Sequence, residues 1–292
     1  MRAISTLVDT LVFLLLLGGA VTTLVVGTAG LQPAADDRAD ETARVVATTT
    51  QTFEYELTPP DGSKDDISYD HVDNASLRRT AHGTTAGLLG TAALSATTVD
   101  NERITPASRG FERVVRNETN GVLSQRETAT AVTATWEPYA DAPIAGTVQV
   151  GPEPPRSTDV HASTLTVDSG VDPVRERALD AARRDGYDGV ARVVASAVVT
   201  GLFPPTETRV VLHGDTPVDT LAAHRYRRLA RLTSAPRLDI DQSSVEQMNR
   251  QLAGALADRL AHDVRQRFQS PTEAARAVST GEVRIVVRTW SP

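Results

Sequence analysis

The sequence predicts an α+β protein: an N-terminal transmembrane helix, then a mixed or antiparallel sheet packed with helices, helical towards the C-terminus. Three observations predict it. The run Leu11–Val26 contains no charged residue. Several segments between residues 43 and 167 alternate apolar and polar side chains, as half-buried strands do. From Asp172 onward, apolar residues recur at spacings of three and four, which is typical of helices.

The apolar run is long enough to cross a bilayer. With its weakly polar flanks it covers Leu7–Leu31, and about 20 apolar residues span the hydrocarbon core as a helix. Arg2 precedes the run and acidic residues come after it from Asp36. Since positive charges stay in the cytoplasm, we expect residues 1–31 to anchor a single-pass protein in the lipid bilayer of the cell membrane. Its N-terminus is then cytoplasmic and its bulk extracytoplasmic.

Two other interpretations of this segment stay open. Gly27-Thr28-Ala29 resembles the small-residue site at which a secretory signal peptide is cleaved. Cleavage after Ile4 would instead place Asp9 at the fifth position of a processed, pilin-like helix. A permanent anchor, a removed signal peptide and a pilin-like N-terminus therefore predict three different mature N-termini.

Residues 32–151 are predicted to form a β-rich external region. Strands are expected where β-branched and aromatic residues alternate with polar ones, and helices where Ala and Leu dominate. The expected elements are a polar neck at 32–42, a strand at Ala43–Leu57, an acidic loop at 61–74, helices at Ser76–Thr97 and Ala107–Arg116, and strands at 127–137 and Gly146–Val150.

Residues 152–292 are predicted to form a mainly helical external region with a final strand. The Pro-rich break at 151–155 separates the two regions, which form either one domain or two. Ser243–Glu246 and Ser270–Glu273 both have the spacing of a capping box, which marks a helix start. The expected elements are a strand at Thr158–Val167, helices from Asp172, from Pro217 to Leu232, from Ser244 to Phe268 and from Ser270, and a strand at Glu282–Trp290.

The composition restricts the chemistry and suggests an environment. There is no cysteine, which excludes disulfides, thiolate metal sites and cysteine nucleophiles. Lys64 is the only lysine beside 29 arginines, and residues 32–74 carry a local net charge of -8. An Arg-only basic set with an acidic, Thr-rich chain indicates a high-salt organism, and we interpret it as a haloarchaeal signature. Nucleic-acid binding would require a clustered basic face, and the sequence does not predict one.

The sequence offers no catalytic residue, cofactor site or metal site. None of the six histidines is four residues from another, and P-loop, nucleophile-elbow and dinucleotide-binding patterns are absent. The candidate contacts for an anionic partner are arginines of one predicted helix, namely Arg225, Arg227, Arg228 and Arg231. The alternative for them is a solvated outer face. Asn74 and Asn117 begin N-glycosylation sequons, which agree with an external location.

Several segments resemble a haloarchaeal family of single-span membrane proteins of unknown function. They are Arg2–Thr6, Arg79–Thr84, Trp136–Tyr139 and His224–Leu229. The resemblance implies an accessory or pseudopilin-like protein that accompanies pilus or Tad-like assembly systems. It implies no enzyme activity and supplies no catalytic residues.

Three hypotheses on function result. The leading one is a non-enzymatic, membrane-anchored extracytoplasmic subunit, accessory to a cell-surface or pilus-like assembly, with other assembly proteins as partners. The second is an extracytoplasmic sensor or anionic-ligand-binding module that uses the arginines of residues 225–231. The third is a surface hydrolase with a dispersed site, which would require a cleft where acids and histidine converge.

Overall fold

The computed structural model describes residues 37–58, 77–124, 128–214, 217–240 and 242–291. The predicted anchor and the predicted acidic loop at 61–74 lie outside the described residues. The helices are α1 (Asp37–Thr48), α2 (Thr85–Ser95), α3 (Arg109–Leu123), α4 (Arg175–Leu202), α5 (Pro205–Leu212), α6 (Val218–Thr233), α7 (Val245–Arg267) and α8 (Pro271–Arg276). The strands are β1 (Thr50–Glu56), β2 (Arg78–Thr84), β3 (Thr98–Val99), β4 (Glu102–Arg103), β5 (Ala129–Trp136), β6 (Ile144–Val150), β7 (His161–Asp168) and β8 (Glu282–Trp290).

Six of these strands form one antiparallel sheet in the order β4-β3-β6-β5-β8-β7. β1 and β2 form a separate antiparallel pair. The last strand of the chain, β8, lies between β5 and β7, so residues on both sides of the Pro-rich break at 151–155 contribute to the same sheet. The prediction of an α+β protein with an antiparallel sheet and a helical C-terminal section is confirmed.

The two faces of the six-stranded sheet differ. The helix-covered face is apolar, and residues such as Val132, Leu165 and Ile285 are buried there beneath α1 and α2. The strand register assigns to the opposite, open face Thr133, Thr135, Thr147, Gln149, Thr164, Thr166, Arg284, Val286 and Arg288. These side chains are exposed or half-buried, whereas Ala131 on the same face is buried. Such alternation is characteristic of an antiparallel sheet with one solvated face.

The segment before β1 is a helix, which corrects two expectations. The sequence predicts a neck at 32–42 and a strand from Ala43, but α1 occupies Asp37–Thr48 and the strand begins at Thr50. Ala39, Ala43 and Val46 are all buried, because spacings of four and three place them on one face of a helix. Burial of that face against the sheet outweighs the β-propensity of the Val and Thr residues.

The helix predicted at Ser76–Thr97 is wrong in its first half. Residues Arg78–Thr84 form β2, which pairs with β1 so that Ala81 lies opposite Phe53. The helix α2 begins only at Thr85, where the Thr84 side chain accepts a hydrogen bond from the backbone N–H of Gly87. That N-cap fixes the change from strand to helix. The next helix is also longer than predicted, because α3 extends to Leu123.

The helical section agrees closely with its predicted start signals. Ser244 and Ser270 cap α7 and α8, and each accepts a hydrogen bond from the third residue of its helix. The predicted apolar stripe of α7 is buried at Val245, Met248, Leu252, Leu256, Leu260 and Val264. Each large apolar side chain removed from water stabilises the fold by roughly 1.5–3 kcal/mol. The helix predicted from Asp172 begins at Arg175.

The segment Trp136–Tyr139 joins the sheet to the helical section. Trp136 is fully buried, and its Nε1 donates to the main-chain oxygen of Thr280 at 2.9 Å. Tyr139 is also buried and packs edge-on against Phe268 after α7. Its hydroxyl donates to the Asp263 carboxylate at 3.0 Å. Both aromatic residues are therefore part of the core.

Among the described helices, none is by itself both long and apolar enough to span a bilayer. Helices α4 and α5 reach that length and composition only together, across a bend of 44°.

Candidate functional site

Helix α6 carries the four arginines that the sequence singles out. It begins after Pro217 and ends at Ser234, whose backbone is left-handed with φ of 57°. The face that packs into the protein is buried at His224, Tyr226, Leu229, Ala230 and Thr233. The arginines occupy the remaining surface, so their surroundings differ from one residue to the next.

Arg225 lies on an aromatic platform. Its guanidinium carbon is 4.8 Å from the centre of the Phe203 ring, and that ring stacks on Tyr226 with a centroid separation of 4.0 Å. Two hydrogen bonds hold the platform. The Tyr226 hydroxyl donates to Asn249 Oδ1 at 2.7 Å, and Asn249 Nδ2 donates to the Phe203 carbonyl at 2.8 Å. Asn249 of α7 therefore connects both residues of the platform.

Among the described residues, few groups compensate the Arg225 charge. Within those ranges its buried Nε has no hydrogen-bond partner, and no carboxylate forms an ion pair with it. Burial lowers the pKa of the guanidinium to about 10, because desolvation disfavours the charged form. The aromatic face of Phe203 offsets part of that cost by cation–π attraction.

Arg228 has a structural role. Its Nε donates to the main-chain oxygen of Arg103 in β4 at 2.6 Å, and its Nη2 lies 3.6 Å from the Glu102 carboxylate. Arg103 in turn pairs with Glu112, a buried carboxylate that also accepts a hydrogen bond from Ser108. Arg228 therefore joins the helical section to the edge of the sheet.

Arg227 and Arg231 lie on the solvent side of α6. Both are exposed, and their spacing of four residues places them one turn apart on the same face. Arg231 has an interaction partner. The four predicted residues therefore do not converge: Arg225 and Arg228 contact different parts of the protein, and Arg227 and Arg231 form an outer pair.

A cleft that the sequence did not predict lies beside the end of α6. Its volume is about 700 Å³, and it is bordered by α6, α7 and the turn between β3 and β4. Its polar lining residues are Asp100, Thr233, Ser234, Asp258, Arg259, His262 and Asp263. Asp258 and His262 are four residues apart on α7. This pair is visible in the sequence, but it contains only one histidine, so the spacing between histidines does not reveal it.

Most charged groups in this cleft already have partners. Arg259 pairs with Asp100, and Asp263 accepts hydrogen bonds from Tyr139 and from Arg267 Nε at 2.8 Å. His262 Nε2 lies 2.9 Å from Gln266 Nε2. Within the described ranges, no three His, Asp or Glu side chains are arranged to hold a metal ion. The cleft thus offers an open polar surface with its ion pairs formed internally.

One of the two predicted glycosylation sites can be located. Asn117 is exposed on α3, whereas Thr119 of the same sequon is fully buried and its hydroxyl has no hydrogen-bond partner among the described residues. Asn74 lies outside the described residues.

Comparison with known proteins gives one match. A family model described as a family of unknown function, DUF7284, matches residues 8–290. No curated protein and no solved structure matches the chain.

Proposed function

The chain belongs to the DUF7284 family of unknown function, and from that premise we propose that it is a membrane-anchored extracytoplasmic subunit without enzymatic activity. It serves as an accessory of a cell-surface or pilus-like assembly. The observation that carries the proposal is the charge-free run Leu11–Val26, with acidic residues after it from Asp36 onward. An uncharged stretch of this length inserts as a helix, and the scarcity of positive charge on its C-terminal side favours export of the remainder of the chain.

The start of the fold supports this proposal. Helix α1 begins at Asp37, shortly after the predicted anchor of residues 1–31, and packs on the sheet next to β7 and β8. A tether attached to such a packed helix fixes one side of the external part relative to the membrane. The surface away from that side is then available to other proteins of the assembly.

The first test is the mature N-terminus of the protein from purified host membranes, measured by mass spectrometry. A start at Met1 or Arg2 is expected for a permanent anchor. A start at Ser5 would indicate prepilin-type processing and a place within a filament. A start near Gly30, with the protein in the medium, would overturn the anchored subunit.

A pair of variants tests insertion directly. Leu16→Arg places a charge in the middle of the apolar run and costs about 2.5–3.5 kcal/mol of insertion free energy. We expect this variant to leave the membrane fraction. The matched control, Ala34→Arg, adds the same charge outside the run and should remain with the membranes. Equal retention of both variants in a salt-washed membrane pellet would contradict the anchor.

Arg225 supports a second candidate, an anion-binding module. The supporting observation is the guanidinium that stacks on Phe203 while its Nε has no partner. Calorimetric titration with succinate and with inorganic phosphate tests it. Binding that disappears in Arg225→Met and persists in Arg227→Met would support this function, whereas no heat from either anion would remove it.

A further inference from the structure

The six-stranded sheet has two edges, and they differ in their protection against further strand pairing. The β4 edge is only two residues long, and both residues, Glu102 and Arg103, are charged. The Arg228 side chain also occupies the main-chain oxygen of Arg103. Short length, charge and a covering helix are the features by which natural sheets prevent edge pairing.

The β7 edge is neither short nor charged at its centre. It is eight residues long, and within the described ranges it pairs with β8 alone. No other main-chain hydrogen bond among the described residues reaches β7. The central residues, Ala162 to Val167, include no charge and no proline, and Ala162 and Thr164 are exposed. A long, uncharged edge of this kind is a template for one more strand.

We propose that β7 is an assembly edge at which a second copy of this chain adds its own β7 in antiparallel orientation. A two-fold axis perpendicular to the sheet relates the two copies. With the axis at Leu165, that residue meets its own equivalent and Thr164 lies opposite Thr166 of the other copy. Asp168 then lies opposite Ala162, so no like charges face each other, which is the condition for favourable cross-strand pairs.

The position of α1 agrees with this symmetry. The helix packs on the covered face of the sheet beside β7 and β8. A two-fold axis perpendicular to the sheet leaves the α1 helices of both copies on the same side of the joined sheet. Both N-terminal segments can then enter one membrane that lies parallel to the sheet.

The membrane tether has a part in the pairing, and in this respect the inference rests on the proposed function. One added strand buries less surface than the roughly 800 Å² per partner of a standard interface. Confinement of the copies to a membrane plane raises their effective concentration and compensates for the small contact. The joined sheet then presents its threonine-rich open face away from the membrane.

The chain has no cysteine, so introduced thiols report the pairing directly. Thr164→Cys and Thr166→Cys are expressed together as full-length chains, and host membranes are oxidised and analysed on non-reducing gels. Opposed residues in an antiparallel pair have Cα atoms about 4.5–5.5 Å apart, within the range of a disulfide. The control is Thr135→Cys on β5, which lies on the same open face but between β6 and β8.

The mixture is expected to give roughly tenfold more covalent dimer than the control, because pairing brings the thiols within bonding distance. Covalent dimer formed by Thr164→Cys alone would also support pairing at β7. It would place the two-fold axis at Thr164 instead of Leu165. A yield equal to the control, with protein present in the membranes, would overturn the inference and leave the anchored subunit intact. An adduct with another protein instead of a dimer would also overturn it. Protein outside the membranes would count against the proposed function. The dimer yield would still show whether the β7 strands of two copies pair.

Discussion

Arg228 of helix α6 donates its Nε to the main-chain oxygen of Arg103, 125 residues earlier in the chain, at 2.6 Å. The contact connects the helical section to the outermost strand of the sheet. It also shows why an arginine-rich helix segment is not by itself a binding site. One arginine of the cluster is used by the fold, and a second, Arg225, is stacked on the ring of Phe203 at the end of α4.

Replacement of Arg228 should weaken this connection. Arg228→Ala removes a charge-assisted hydrogen bond, which contributes about 1–2 kcal/mol to the free energy of unfolding. The pairing with Glu102 adds little, because that carboxylate is largely exposed. Arg227→Ala is the matched control and should change stability by less than about 0.5 kcal/mol. Denaturant unfolding of both variants measures the difference, and equal stabilities would contradict a structural role for Arg228.

Replacement of Arg225 should affect the stability of the protein differently from replacement of Arg228. Arg225→Met keeps an unbranched side chain over Phe203 and removes a desolvated charge, so its stability should stay within about 1 kcal/mol of the original protein. By contrast, Phe203→Ala removes the platform and should cost about 3–5 kcal/mol. The folded-state pKa of about 10 lies below the ordinary value of 12.5. The cost of burying the charged guanidinium therefore lowers the stability of the fold fully below pH 10. It is relieved only as the pH rises above 10 and the folded protein loses this proton. Unfolding at pH 7 tests both variants, and a large loss in Arg225→Met would show an anionic partner within the chain.

The sequence predicted those elements whose pattern is complete within a short window. Strand β8 has the predicted bounds, with Val283, Ile285 and Val287 buried on one face. Helix α7 has its predicted apolar stripe, and its N-cap, Ser244, lies one residue after the serine that opens the predicted capping box. In these segments the local propensity and the tertiary packing favour the same structure.

The failures occur where a distant segment decides the structure. Residues Arg78–Thr84 have no strong strand pattern of their own, and their pairing with β1 makes them a strand. The arginines of α6 resemble one another in sequence, yet Arg103 and Phe203 give two of them separate surroundings. The cleft beside α7 was missed for the same reason, since Asp100 and Arg259 are remote in sequence.

Tyr139 gives the protein a dependence on alkaline pH. Burial, together with the smaller effect of the nearby Asp263 carboxylate, raises the pKa of its phenol well above the usual 10. A folded-state pKa above the unfolded value contributes stability that is complete below pH 10 and is lost as the pH rises further. Burial raises the pKa of Tyr55 and Tyr226 in the same direction.

Tyr139→Phe tests this relationship. At pH 7 the variant should be less stable by about 1–2 kcal/mol, because the hydrogen bond to a charged carboxylate is lost. Between pH 10 and pH 11 the difference should shrink, since phenylalanine cannot ionise. Unfolding measured by tryptophan fluorescence at several pH values gives both quantities. Parallel pH profiles for the two proteins would contradict the assignment to Tyr139.

Gly146 in β6 tests how closely α2 packs on the sheet. A Cβ atom at this position would lie 1.9 Å from the main-chain oxygen of Ala93, and a backbone atom cannot move away as a side chain can. Gly146→Ala should therefore cost more than about 4 kcal/mol, the range of exceptional core damage. The matched control is Gly254→Ala in α7, where no neighbour lies within 4 Å of the added methyl group. That change should stabilise the helix by about 0.5–1 kcal/mol. If thermal unfolding showed Gly146→Ala to be as stable as the unaltered chain, α2 would have to lie farther from β6, and the covered face would need a different packing.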